Sequence, residues 1–490
     1  MNSRSTKPLP YGKIALAVVL VVMAFAVAYT ATHSNLVVSI VIGLLPVILM
    51  FSIATMTSIN KAYIFFLVVH YFTVYFARLL AWQGTEIPFG LICDATLGYV
   101  LVIILINFMS STAPYKHVNL EPIIFTGIWL FFCLIEGANP LSSNEAWFKN
   151  IRNLCLYFFL ISFVAQLAFL EFKQVKRFVM LWAGLSLLTA LMTFKQKFIG
   201  FSECDDFFLY AQGGYLTHII YSGVRYFSIM SDAANLGAAM GVSGTLFAIL
   251  FLYEPKKKKK YFFLLVFLCS ILAMLYSGTR SALAVPFVGL ALYCLCSSVN
   301  KKVVFIAIAG LSAFCFLNFT TIGNGNAVIR RARSAFDKED TSYQVRKENQ
   351  EIIKEIMKDK PLGYGIGLSG GNALQFGEDY LDIADIPTDS FFVQVWVQTG
   401  YIGLFFYLAL MFCMVARAIY IVRFKIKDPE IKGCMTAFVC SFAGLFVMSS
   451  NNEVYATFPN GIFAYTSMTL AFLGQYYDKQ KRLELENEKA

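Results

Sequence analysis

Long apolar stretches alternate with short polar ones along most of the chain. They fall near 13–30, 35–55, 62–82, 90–110, 121–138, 152–170, 177–196, 233–253, 261–277, 281–299, 302–320, 396–422, 433–450 and 459–477. A run of about eighteen or more apolar residues is long enough to cross the hydrocarbon of a bilayer as a helix. The pattern therefore predicts an all-α, polytopic membrane protein of about fourteen transmembrane helices. Two polar intervals, 197–232 and 321–395, break the rhythm and are too long for simple connectors. In the second, Thr341-Ser342-Tyr343-Gln344 has the spacing of a helix-starting capping box. Val345, Ile352, Ile353 and Ile356 then recur at helical spacing, and Pro361 and Gly363 stop the helix. A glycine-rich turn, Gly363-Tyr364-Gly365-Ile366-Gly367, leads through an acidic loop to Pro387-Thr388-Asp389-Ser390. From Phe391 the sequence is apolar again. An amphipathic helix on a membrane surface, with a polar loop returning into the bilayer, would form the lid of an intramembrane site. The plain alternative is a solvated loop between two spans.

Composition agrees with the pattern. Of 490 residues 58% are hydrophobic and 14% charged, with mean hydropathy +0.64; a soluble domain carries about a quarter charged residues. The net charge of +10 would suggest nucleic acid in a soluble protein. Here much of it sits in short loops: Lys61, Lys116, Lys173 with Lys176 and Arg177, Lys256 to Lys260, Lys301 with Lys302, and Arg417 to Lys432. These fall on one side of the membrane, together with the basic start (Arg4, Lys7, Lys13) and the tail (Lys479, Lys481, Arg482). The positive-inside rule puts both termini in the cytoplasm, the first helix uncleaved, and 197–232 and 321–395 outside. The remaining positive charge suits anionic head groups, so membrane lipids are expected partners and nucleic acid is not.

All of the 11 cysteines except Cys204 lie in apolar stretches, and no histidine stands near Cys294 and Cys296. Neither a metal site nor a disulfide framework is expected, and no cofactor. No repeat period is visible, and the halves differ in loop size, which weakens the case for an inverted-repeat transporter.

Candidate chemistry gathers at the outer side. Arg225 precedes Ser231-Asp232-Ala233-Ala234-Asn235, which opens a span; Arg280 sits in Tyr276-Ser277-Gly278-Thr279-Arg280-Ser281, between two spans; Arg346 is on the first turn of the amphipathic helix. An arginine near hydrocarbon is expensive and needs a partner or a ligand. Its planar fork matches phosphate oxygens, so three converging arginines would suit a diphosphate. The plain alternative for each is snorkelling to the interface. Arg330, Arg331 and Arg333 read better as a solvated or head-group-facing patch. Of the acids Glu203, Asp205, Asp206, Glu378, Asp379, Asp382, Asp385 and Asp389, only Asp389 immediately precedes an apolar run. It is a candidate base, or else the N-cap of the span that follows. Of the histidines only His218 lies near an outer face, where it reads as a local polar group.

In order, Arg225 with Asp232-Ala-Ala-Asn235, Tyr276-Ser-Gly-Thr-Arg280-Ser-Ala, Arg346 with Lys360-Pro-Leu-Gly-Tyr-Gly-Ile-Gly367, and Asp389-Ser-Phe-Phe-Val-Gln-Val-Trp-Val-Gln-Thr-Gly400-Tyr-Ile-Gly403 resemble the O-antigen ligase and O-antigen polymerase family of bacterial inner-membrane proteins. The resemblance covers about residues 215–450, with 1–200 matching only as a series of spans and 451–490 as a last span and tail. It implies a core over 201–450 that includes the periplasmic loop 321–395. It also implies a metal-independent glycosyltransferase acting on undecaprenyl-diphosphate-linked oligosaccharide, in company with other polysaccharide-assembly proteins. Arg346 and Asp389 would be catalytic, and Arg225, Arg280, Asp232 and Asn235 would bind substrate. Ligases carry a histidine where this chain has Thr388-Asp389, and polymerases often an acid or amide, which favours a polysaccharide polymerase with ligase second. A lipid-linked oligosaccharide flippase also explains many spans and arginines, but not the large outer loop. A structural or assembly role is the third reading.

Overall fold

The computed structural model describes residue 55 and residues 58–85, 89–109, 117–220, 223–297, 301–336, 341–377 and 380–488. The spans expected near 13–30 and, but for Thr55, 35–55 lie outside the described residues, as do Lys116, Glu378 and Asp379. The protein is an all-α polytopic membrane protein. Among the described residues nine helices are long and apolar enough to cross a bilayer: Ile59–Trp82, Gly90–Met109, Leu120–Ala138, Asn144–Ala168, Phe172–Phe198, Ala233–Tyr253, Lys257–Tyr276, Phe391–Lys425 and Pro429–Met448. The stretches expected at 281–299 and 302–320 form shorter apolar helices, Arg280–Cys296 and Val303–Phe319. The one expected at 459–477 opens the helix Asn460–Asn487. The helix expected from 152 begins earlier, at Asn144, because Ser143 Oγ accepts the Ala146 N–H (3.4 Å) and caps it there.

Ala233–Tyr253 and Pro429–Met448 form the centre; 83% of the apolar window of each is buried, against 28% for Lys257–Tyr276. Small residues allow this. A Cβ on Gly237 would lie 2.8 Å from Ser277 Oγ, and one on Gly241 would lie 3.0 Å from Val285 Cβ. In hydrocarbon, where burying apolar surface gains nothing, such close backbone packing is what holds helices together. The outer helices show bare apolar side chains such as Leu105, Phe131 and Phe305, as a lipid-facing surface requires.

The two ends of the bundle differ. Where Ala233–Tyr253 ends, ion pairs tie the helices: Lys176 to Glu430 (3.1 Å), Lys481 to Asp428 (2.8 Å), and Arg417 to both oxygens of Glu121 (2.8 and 2.7 Å). Where it begins, the long polar intervals gather.

The second interval carries a small core of its own, with Ile353, Met357, Tyr364, Leu368, Ile383 and Val397 packed against Ala146. The amphipathic helix runs Thr341–Ile356, as its start signal implies. Its apolar stripe is split, however. Ile353 is buried and Ile356 half-buried, whereas Val345 and Ile352 are exposed. The helix docks by its last turns onto this core.

The glycine turn is anchored by a break in the helix Phe391–Tyr420. Gly400 there has φ 67° and ψ −175°, which interrupts the helical ladder. The carbonyls of Val397 and Gln398 accept instead from the N–H groups of Tyr364 (2.9 Å) and Gly365 (3.0 Å). A Cβ on Gly363 would sit 2.5 Å from Val397 O, so only glycine allows this approach. Asn139 Nδ2 donates to Leu362 O (2.9 Å), and Gln398 Nε2 to Ser369 Oγ (2.9 Å). The expected lid is thus a docked layer, fastened to the span it precedes.

Candidate functional site

The site is assembled where four polar segments meet. Arg225 ends a two-residue strand pair (Ile219–Ile220 with Gly223–Val224) and is half-buried. Its Nη1 donates to Thr217 O (3.0 Å) and its Nη2 to Thr279 Oγ1 (3.1 Å). Thr279 in turn donates to Ala233 O (2.8 Å). One hydroxyl therefore links the Arg225 segment, the turn before Arg280 and the start of the central helix. Gly278, with φ 60°, makes that turn possible, and Arg331 donates to its carbonyl.

Burial holds the Arg225 guanidinium below its ordinary pKa; Asp232 opposes the shift, and the charges of Arg346 and Arg280 add to it. Arg280 and Arg346, also singled out in the sequence, are therefore each close enough to act on Arg225. Arg280 also donates to Ser334 Oγ (3.4 Å). Arg346, half-buried, has no hydrogen-bond partner among the described residues.

Asp232 caps the central helix. Its Oδ1 accepts from Ala234 N–H (2.7 Å) and Asn235 N–H (2.9 Å), and its Oδ2 from Asn235 Nδ2 (2.7 Å). Asn235 Oδ1 accepts from Thr457 and from Asn460 Nδ2 (3.0 Å). Both predicted substrate-binding residues thus also hold the helix end in place. His218 is a local polar group, as expected: Nε2 accepts the Ala233 N–H (3.2 Å), Nδ1 faces Gly214 O (2.9 Å), and burial lowers its pKa.

Asp232 also lines a cavity of about 430 Å³, within the range of small-molecule sites. Asp232, Asn235, Asn372, Thr388, Asp389, Gln394, Asn452 and Glu453 line it. Asp389 is not the cap of the following span. Ser390 fills that place, its Oγ accepting from Phe392 N–H (3.2 Å) and Val393 N–H (3.4 Å). Asp389 itself has φ 53°, half-buried, with no hydrogen-bond partner among the described residues. Positive φ is uncommon for a non-glycine residue, although aspartate adopts it more readily than most.

Glu453 went unnoticed in the sequence. The residue is exposed overall and lines the cavity, yet burial of its carboxyl raises its pKa; the Thr388 hydroxyl, which donates to it, opposes the rise, and Asp389's charge adds to it. The only signal for it was position, in the short polar loop before the last expected span. The loop is pinned by Ser281, which donates to Asn452 Oδ1, and by Phe391 N–H, which donates to Ser449 O (3.0 Å). Asp232 thus both lines the cavity and acts on Arg225.

Residues 264–408 match the model of a family described as O-antigen ligase. The match bears out the resemblance drawn from the Arg280, Arg346, glycine-turn and Asp389 motifs, all of which lie inside it; Arg225 and Glu453 lie outside. No curated protein matches the chain.

Proposed function

We propose that this member of an O-antigen ligase-type group is a polysaccharide polymerase of the bacterial inner membrane. It would transfer glycan from undecaprenyl diphosphate to an acceptor sugar at the periplasmic face, with both termini in the cytoplasm as the Lys/Arg bias implies. One observation carries the reading. Asp389, at positive φ and with no hydrogen-bond partner among the described residues, lines a polar cavity shared with Asp232, and Asp232, Arg280 and Arg346 all act on the charge of Arg225.

The chemistry follows from that layout. An acceptor hydroxyl oxygen attacks the anomeric carbon of the donor sugar. The bond from that carbon to the diphosphate oxygen breaks, and its electron pair leaves with undecaprenyl diphosphate. Arg225, Arg280 and Arg346 stabilise the charge that develops there, as prearranged charges do in a site shielded from water. The hydroxyl proton passes to Asp389, which has no competing hydrogen bond among the described residues, whereas Glu453 already accepts from Thr388. Asp232 and Asn235 shape the boundary between donor and acceptor.

Ligase is the second reading, favoured by the description of the matched family. Thr388-Asp389 in place of a histidine speaks for polymerase. The deciding experiment is glycan transfer by the purified protein in detergent from lipid-linked donor. Chain growth on the donor's own repeat, without added nucleotide or metal, supports polymerase. Transfer only to a lipid core supports ligase. Movement across vesicles without a new glycosidic bond supports a flippase and sinks both.

A further inference from the structure

The walls of the cavity carry an unbalanced charge. Asp232, Asp389 and Glu453 line it, and among the described residues none that lines it is Lys, Arg or His. The rest of its polar lining, including Asn235, Asn372 and Gln394, is amide or hydroxyl. Arg225, on which Asp232, Arg280 and Arg346 act, is not among the residues that line the cavity. An anionic group entering it would meet three carboxylates and no cation among the described lining residues, and like-charge juxtaposition is strongly selective against a ligand.

We infer that this cavity selects a neutral, hydroxyl-rich sugar and rejects sugars bearing a carboxylate or phosphate. The inference rests on the glycosyltransferase reading and adds the substrate class: the unit seated in the cavity is an unsubstituted or N-acetylated hexose, not a uronic acid. Hydroxyls and acetamido groups can donate to the carboxylates and exchange hydrogen bonds with the amides, satisfying a lining that would otherwise need water. A uronate could offer its hydroxyls but would also bring a charge the wall opposes.

The test uses the full chain, purified in detergent at low salt. Cellobiose and N,N′-diacetylchitobiose are compared with cellobiouronic acid and a hyaluronan disaccharide by saturation-transfer NMR and calorimetry. The neutral pair should bind and the uronates should bind at least roughly tenfold more weakly, with the gap shrinking at high salt. The double variant Asp389→Asn, Glu453→Gln should narrow the gap. Gln394→Lys, which places a cation on the wall, should raise uronate affinity, and it keeps the idea testable should the double variant fail to fold. Equal or tighter binding of uronates, a gap unmoved in the variants that fold, or no binding of either neutral disaccharide would overturn the inference. Transfer assays separate the two levels. Efficient transfer to a uronate acceptor removes the selectivity and leaves the transferase. A neutral preference in binding with no transfer from any donor removes the transferase reading alone.

Discussion

Arg225 and Thr279, 54 residues apart, meet through one hydrogen bond of 3.1 Å, and Thr279 passes it on to Ala233 O. The guanidinium proposed to meet substrate is thereby also a strut between three segments. Arg346 has no such duty.

The two arginines should therefore fail differently. Arg225→Ala should lower both activity and thermal stability, because two donors are lost and Thr217 O and Thr279 lose a partner; a lost bond of this kind costs about 1 kcal/mol. Arg225→Lys should do little better, since a single ammonium cannot reach both acceptors. Arg346→Ala should abolish glycan transfer with the melting temperature unchanged. Full activity in Arg346→Ala, measured with normal protein abundance, would remove it from the site.

The docked lid offers a test of the fold. Gly400→Ala puts a Cβ against the Pro361 carbonyl, where no room exists, at a backbone angle that strains any other residue. The lid should detach: Tyr364 and Gly365 lose their acceptors, and protease should cut within 357–377 in the variant but not in the wild type. An uncut, fully active Gly400→Ala protein would contradict the described docking.

Why the fold was legible and the site only partly so is plain from these residues. The spans announce themselves because hydrocarbon demands an unbroken apolar run. Arg225, Arg280 and Arg346 stood out because charge near hydrocarbon is costly. Glu453 did not, because an acid in a short polar loop is commonplace; only Thr388, 65 residues away, gives it meaning. The pairing of the glycine turn with the Gly400 break was likewise invisible: both motifs could be read, but not that each supplies what the other lacks. Asp389 illustrates the opposite error. Its place before an apolar run suits a cap, and the choice of Ser390 instead depends on backbone angles that sequence does not print.

Glu453 gives a pH dependence with a definite sign. Its carboxyl is raised in the folded protein, so the neutral form is favoured there. The stability it contributes is present below the unfolded value, about 4.3 for glutamate, and is lost as pH rises through the raised value. The melting-temperature difference between Glu453→Gln and wild type should therefore grow in favour of the variant over that interval. Thr388→Val removes the hydrogen bond that opposes the shift and should move the interval up; Asp389→Asn removes the adding charge and should move it down. A difference that is flat with pH, or that grows on acidification, would show that Glu453 is not raised.

Asp389 and Ser390 are neighbours with separable duties. Ser390 caps the span that follows, so Ser390→Ala should cost about 1 kcal/mol of stability and leave transfer largely intact in the protein that remains folded. Asp389 makes no hydrogen bond with the described residues and holds a left-handed backbone that asparagine tolerates equally well. Asp389→Asn should therefore fold like the wild type, and the carboxamide cannot take the acceptor's proton. Turnover should drop by roughly a hundredfold or more, read as shortened or missing polymer at normal protein abundance. Asp389→Glu keeps the proton acceptor but moves it by one methylene and loses the left-handed preference. It should fall between the two in rate and be less stable than either. Near-normal polymer from Asp389→Asn would leave Glu453 as the base, and Glu453→Gln should then show the loss instead.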